Sequence, residues 1–148
     1  KKGNQWYFGM EAHIGVDSAT KIIHSVAATA ANVHDAAALP ELLHGNETRT
    51  YGDSAYQGQG EIIRVCAPSS KDFTNRRYRF KGRVDQEQRR KNRYKSHIRA
   101  RVEHPFLVIK RIFGFAKVRY RGLKKNAQRL HVACALTNLY LLRHKLAT

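Results

Sequence analysis

The stretch WYFGMEAHIGV, residues 6–16, alternates without a break. Trp6, Phe8, Met10, Ala12, Ile14 and Val16 fall on one side; Tyr7, Gly9, Glu11, His13 and Gly15 fall on the other. Successive side chains of a strand point to opposite faces, so this period of two predicts a half-buried β-strand. Asp17-Ser18-Ala19-Thr20 has the composition of a turn. Residues 21–29, with Ile22, Ile23 and Val26 among alanines, read as the returning strand of a hairpin.

Beyond the hairpin the pattern changes. Residues 32–45 predict a helix with Leu39, Leu42 and Leu43 on its apolar stripe, Asn32 or Asp35 as its cap and Gly45 as its end. Pro40 fits there only within the first turn. A short strand is expected at 48–51, then Gly52-Asp53-Ser54-Ala55-Tyr56, then a short helix at 58–66. Residues 69–95 are polar and basic, with Phe73, Tyr78 and Phe80 interleaved among arginines and lysines, and read as an arm or insertion with room for one more strand. Residues 86–113 predict a long helix, because Val102, Phe106, Ile109 and Phe113 make one continuous face. Pro105 should kink it or mark a local break. Gly114 and Gly122 flank a basic strand candidate at 115–120. A last helix at 127–143 is apolar nearly all round and is expected to be buried. This order of elements predicts one α/β domain over residues 1–148 with a partly antiparallel sheet.

Charge narrows the function. The 148 residues carry a net +17. Residues 1–70 hold five Lys/Arg against seven Asp/Glu, whereas residues 71–125 hold twenty against four. Such segregation implies a persistent polyanion partner, of which nucleic acid is the usual one. No run of 18 apolar residues occurs, so no membrane span is expected, and no signal peptide is visible. Cys66 and Cys134 have no metal-type spacing and read as buried reduced thiols. The chain opens with Lys1 shortly before a strand, which suggests further sequence upstream.

Two acidic residues stand out. Asp53 follows a strand and a glycine, where α/β proteins bind ligands, although an Asp there is also a common turn former. Glu103 is the sole acid after Glu87, in the most basic part of the chain. Arg99, Glu103 and Lys110 follow at spacings of four and seven on one helical side, so Glu103 is either a ligand or the partner of Arg99 in a helix ion pair. Two carboxylates amid cations suit metal-dependent phosphodiester chemistry, since Mg²⁺ takes oxygen ligands and shares its shell with water and phosphate. His13, His24, His34 and His131 read as packing or surface residues, and Asp35 as a cap.

Several segments together resemble the insertion-sequence-five-type bacterial transposases of the insertion-sequence-four superfamily: residues 1–6 through Gly15-Val16-Asp17, Ala31-Asn32-Val33-His34-Asp35, Leu42-Leu43-His44-Gly45, Gly52-Asp53-Ser54-Ala55-Tyr56, and Val102-Glu103-His104-Pro105-Phe106 with Ile109-Lys110-Arg111. The resemblance covers essentially the whole chain. It implies a ribonuclease-H-like mixed sheet flanked by helices, with an Asp–Asp–Glu triad. Asp53 matches the second Asp and Glu103 the Glu; the first Asp would lie on a strand upstream, so that strand is missing from this chain. Asp17, at a hairpin tip, is a poor substitute. The related signature of Tyr, Arg, Glu and Lys falls on Ser96, Arg99, Glu103 and Lys110, so the tyrosine is replaced. Glu11 stands where the family usually has Lys.

The resemblance further implies strand cleavage and strand transfer with Mg²⁺ or Mn²⁺ held by Asp53 and Glu103. Arg99 and Lys110 would contact phosphates near the cut. Arg76, Arg77, Arg79, Lys95 and Arg111 would contact DNA elsewhere. Double-stranded DNA, a homodimer on it, and a bacterial cytoplasmic location at the nucleoid are the expected setting. Without its first Asp this chain alone is expected to be inactive, and the alternatives are a transposase remnant or a non-catalytic basic nucleic-acid-binding protein.

Overall fold

A computed structural model describes residue 4 and residues 9–147. Two antiparallel strands open it: β1, Met10–Val16, and β2, Ile23–Ala30. The first residues of the expected strand, 6–8, lie outside the described residues. The turn between them is closed by Asp17, whose Oδ1 accepts from Ala19 N (3.0 Å), Thr20 N (2.6 Å) and Thr20 Oγ1 (2.7 Å). The ladder runs from Met10 opposite Ala30 to Gly15 opposite Ser25, then slips so that Val16 pairs with Ile23. This bulge leaves His24 unopposed and resets the alternation, so Ile23, Val26 and Ala28 all meet the same core.

Helices cover the hairpin on both faces. On one face Ile14 and Ile23 pack with Ile109, Leu130, Ala133 and Cys134. On the other, Ala27 packs with Ala38 and Leu42. Ile109 and Leu130 are fully enclosed, each stabilising the fold by about 1.5–3 kcal/mol through burial.

The helix expected at 32–45 is much shorter. A 3₁₀ turn, Asp35–Ala38, leads into α1, Leu39–Leu42, with Pro40 in its first turn. The cap is neither Asn32 nor Asp35 but His34, whose Nδ1 accepts from Ala36 N at 3.1 Å. The element ends at Leu42, before Gly45. A small βαβ unit follows: β3, Arg49–Thr50, then α2, Gly60–Cys66, then β4, Lys71–Asp72, parallel to β3.

The basic arm contains an additional hairpin, β5 (Arg79–Phe80) and β6 (Arg83–Val84), turned by Lys81 and Gly82 at φ 45° and 78°. Two consecutive positive φ values are what a tight two-residue hairpin demands, and glycine meets them without strain. Helix α3, Gln86–Arg99, starts where Asp85 accepts from Gln88 N (2.9 Å), so the irregular part of the arm ends at 85 rather than 95. The arm is stapled to α3: Asn92 exchanges hydrogen bonds with Arg76 N (3.2 Å) and O (2.6 Å), and Lys95 Nζ donates to Thr74 O (3.0 Å).

The long helix is broken. A 3₁₀ turn, Ala100–Val102, separates α3 from α4, Glu103–Arg111. The break sits upstream of Pro105 because a proline ring clashes with the carbonyl four residues earlier and offers no N–H to it. Residues 115–120 form no strand; their backbone is bonded instead to side chains of α5, Leu123–Leu146. Helix α5 begins before 127 and is not buried all round: Leu130, Ala133, Cys134 and Thr137 face the core, but Val132, Leu136 and Leu139 are exposed. Among the described residues the strands form three separate two-stranded ladders instead of one mixed sheet. The class is mixed α/β, as expected. Cys134 is buried, which pushes its thiol up to about 11, whereas Cys66 is only half-buried; both are free. No helix among the described residues is long and apolar enough to cross a membrane.

Candidate active site

The β3–β4 ladder sets the position of Asp53. Lys71 N, Phe73 N and Asn75 N donate in turn to Thr48 O (3.0 Å), Thr50 O (2.8 Å) and Gly52 O (2.9 Å), extending the parallel register past both strands. Tyr51 and Phe73 stack at 5.2 Å beside it. At Gly52 a side chain would crowd Tyr56 Cβ (3.3 Å) and Thr74 Oγ1 (3.4 Å), so glycine lets the chain turn close to both. Asp53 then caps the 3₁₀ turn Ser54–Tyr56, its Oδ1 accepting from Ala55 N at 2.8 Å. The turn-forming role and a ligand role are compatible, because the cap uses one carboxylate oxygen.

Glu103 belongs to a different element and lines the same large cleft as Asp53. It is the first residue of α4, and the cleft, of about 1090 Å³, lies between the hairpin, the βαβ unit and the α3–α4 break. Arg99 also lines it. The Arg99 guanidinium lies 3.7 Å from Glu103 Oε1, with the two side chains 37 % and 67 % exposed. An ion pair this long and this wet is worth little, so it leaves the carboxylate available to another partner. Arg99 Nε is buried and lacks a hydrogen bond.

The other cationic candidates are dispersed. Lys110 lies two turns further along α4, outside the cleft, its ammonium 5.6 Å over the Phe106 ring. Arg76 lines a smaller pocket of about 380 Å³ with Asn75. Arg77, Arg79 and Arg111 are exposed, Arg79 lying 5.7 Å over the Tyr78 ring. Lys95 is half-buried and partly committed to Thr74 O. Ser96, at the tyrosine position of the signature, accepts a hydrogen bond from Asn75 Nδ2 (2.9 Å), a link between arm and helix.

Sequence reasoning missed several residues of the cleft. Arg49 and Lys71 pair in register across β3 and β4 and both line it, as does Arg101, which also donates to Ser18 O (2.5 Å). Glu11, which stands where the family usually has Lys, and Asp35, whose sequence setting reads as a cap, line it too. Burial, followed by a hydrogen bond to Asp35 and repulsion from it, raises the Glu11 carboxyl above its ordinary value. Tyr56 feels the same acids: burial first, then Asp35, Asp53 and Glu11, push its phenol up to about 12. The alternation of β1 already placed Glu11 and His13 on one face, but nothing local linked that face to Asp35 or Asp53. His13 is buried and bonded to Thr29 Oγ1 (2.9 Å), while His34 caps and His131 is exposed, as packing and surface roles require. His24 and His44 meet edge to face at 4.7 Å.

Asp53 and Glu103 are hard oxygen donors of the kind Mg²⁺ or Mn²⁺ takes. Among the described residues no group of three or more His, Cys, Asp and Glu side chains is placed to hold a metal ion. Glu11, Asp17, Asp35 and Glu47 line the same cleft, so carboxylates are spread around its wall and are not gathered at one point. The family model described as "Transposase DDE domain" matches residues 1–139. No solved structure matches the chain.

Proposed function

The chain belongs to the transposase DDE domain family, and on that premise we propose that it is the catalytic region of an insertion-sequence-five-type DNA transposase. It cleaves DNA strands at a transposon end and transfers the freed 3′ end to target DNA. One observation carries this reading: Asp53 and Glu103, fifty residues apart, line one cleft together with Arg49, Lys71, Arg99 and Arg101. The Arg49–Lys71 pairing sets two exposed cations side by side at the edge of the cleft, a pair suited to contacts with a DNA backbone.

The residues divide the work. Asp53 and Glu103 would hold Mg²⁺ or Mn²⁺, which DDE transposases generally use. A divalent ion, when bound, lowers the pKa of water and stabilises charge on the oxygens that attack and leave. Arg99 and Arg101 position phosphate next to the carboxylates, and Lys110 contacts the strand further along α4. Arg76, Arg77, Arg79, Lys95 and Arg111 hold flanking duplex, a sequence-independent role suited to backbone contacts. The mixed α/β class is the one a ribonuclease-H-like core requires. A homodimer on DNA would bring two such sites to the two transposon ends, in the bacterial cytoplasm at the nucleoid.

The test is cleavage of a labelled transposon-end duplex by the parent transposase with Mg²⁺ or Mn²⁺, alongside Mn²⁺ binding measured by electron paramagnetic resonance. Asp53→Asn and Glu103→Gln should each lower the cleavage rate by about 10²-fold or more and weaken Mn²⁺ binding. Wild-type cleavage by either variant removes that residue from the site. Salt-dependent duplex binding with no metal-dependent cleavage by the unmutated protein would instead make the chain a binding module.

A further inference from the structure

The connection between α4 and α5 was expected to be a strand, and what replaces it is built around two side chains. Asn126, 1 % exposed, uses its whole hydrogen-bonding capacity on the loop. Its Oδ1 accepts from Arg119 N and Tyr120 N, both at 3.2 Å, and its Nδ2 donates to Tyr120 O (2.6 Å) and Gly122 O (2.7 Å). Arg129 donates to Lys117 O (3.0 Å) and Gly114 O (2.7 Å), with its guanidinium 4.9 Å over the Phe115 ring. The loop's polar backbone is thereby turned inward, and its side chains are turned out.

Those outward side chains are cations. Lys117, Arg119 and Arg121 of the loop, and Lys124 and Lys125 of the first turn of α5, are all exposed. No carboxylate lies within 4.0 Å of any of them among the described residues. None is near in sequence either, because residues 104–148 contain ten Lys/Arg and no Asp or Glu. Val118 and Tyr120, about half exposed, stand among them. Five like charges on a scaffold fixed from below repel one another, and a loop already ordered loses little entropy on binding. Both properties favour a polyanion with closely spaced charges.

We propose that residues 114–125 form a preformed clamp for the phosphate backbone of duplex DNA, with Asn126 and Arg129 as its positioning residues. This rests on the reading of the chain as a DNA transposase and adds a contact separate from the cleft and from the 69–95 arm. Helix α4 leads from Glu103 to the loop, and nine helical residues span about 14 Å.

The experiment is fluorescence anisotropy of a labelled duplex with the 148-residue chain, titrated over salt in metal-free buffer, so that cleavage plays no part. Each lost phosphate contact should reduce the slope of log K against log [salt] by about 0.9. Arg119→Ala/Arg121→Ala, which leaves the buried Asn126 network in place, should lower the slope by about 2 and weaken binding by about tenfold or more at moderate salt. Arg64→Ala, an exposed cation paired with Glu61, should leave the slope unchanged. Asn126→Ala keeps every cation and should still bind more weakly at a temperature where its circular dichroism matches the unmutated chain. If the unmutated chain shows no salt-dependent duplex binding, the transposase reading itself fails. If it binds and Arg119→Ala/Arg121→Ala binds with the same slope, the clamp alone is refuted. Tighter binding to single-stranded RNA of equal length would also overturn it.

Discussion

Asn138 holds both backbone polar groups of Ile23: the Ile23 N–H donates to Asn138 Oδ1 at 2.9 Å, and Asn138 Nδ2 donates to Ile23 O at 2.8 Å. The contact joins the last helix to the second strand across 115 residues of sequence. It falls where the ladder slips, and Ile23 is only 5 % exposed, so water cannot readily replace the amide. Asn138→Ala should therefore destabilise the fold by about 2 kcal/mol, since two backbone groups lose their partner at once. Urea unfolding followed by circular dichroism measures this. A change under about 0.5 kcal/mol, the range of an ordinary surface substitution, would show that the amide merely fills space.

That contact also marks where the sequence stops being readable. The hairpin was legible because a period of two over residues 10–16 has one structural solution, and α2 and the α3–α4 break followed from local composition and Pro105. Residues 115–120 misled because Val118 and Tyr120 alternate with cations as a strand would. Asn126 and Arg129 take up that backbone from the next helix, an outcome no local pattern encodes. The composition of α5 predicts burial because it counts apolar residues without saying which face has a partner. Of the residues that line the cleft, Asp53 and Glu103 stand out in the sequence. Arg49, Lys71, Glu11 and Asp35 do not, since each acquires its neighbours only through the β3–β4 pairing and the packing of α1 on β2.

Asp17 gives a prediction with a definite sign. Hydrogen bonds from Thr20, backbone first and then side chain, hold its carboxyl below the ordinary value of 3.8. A folded pKa below the unfolded one contributes stability that is complete above pH 3.8 and is lost as pH falls through the depressed value. Asp17→Asn should be less stable than the unmutated chain at pH 7, and the gap should close as the pH is lowered past 3.8. Asp17 is well exposed, so the effect is small. Thermal melts at pH 7, 5, 4 and 3 test it; a gap that is constant with pH would assign the turn's stability to shape alone.

Glu11 should behave in the opposite way. Its carboxyl is raised above 4.5 by burial and by Asp35. A raised folded pKa means that the protonated form suits the fold, so stability is complete below 4.5 and is lost as pH rises through the folded pKa. Glu11→Gln keeps the shape and removes the charge. It should melt higher than the unmutated chain at pH 7 and at nearly the same temperature at pH 4. If instead it melts lower at pH 7, the Glu11 carboxylate is held by a cationic partner, and the crowding of acids near Tyr56 has been misjudged.

Glu103 separates catalysis from stability. If its role is the Arg99 ion pair, Glu103→Gln weakens the fold and leaves chemistry intact. If it is a metal ligand, the reverse holds. The geometry favours the second outcome: 3.7 Å is long for a charge-assisted hydrogen bond, and a glutamate side chain 67 % exposed is well screened. Glu103→Gln should therefore shift the urea midpoint by an amount equivalent to no more than about 0.5 kcal/mol, while metal-dependent cleavage by the parent transposase falls by about 10²-fold or more. Arg99→Gln provides the counterpart, since it also breaks the pair but keeps the carboxylate. It should retain Mn²⁺ binding and lose DNA affinity near the cleft. A large stability loss shared by both variants, with cleavage surviving in either, would return Glu103 to an ordinary helix residue and leave Asp53 without its partner.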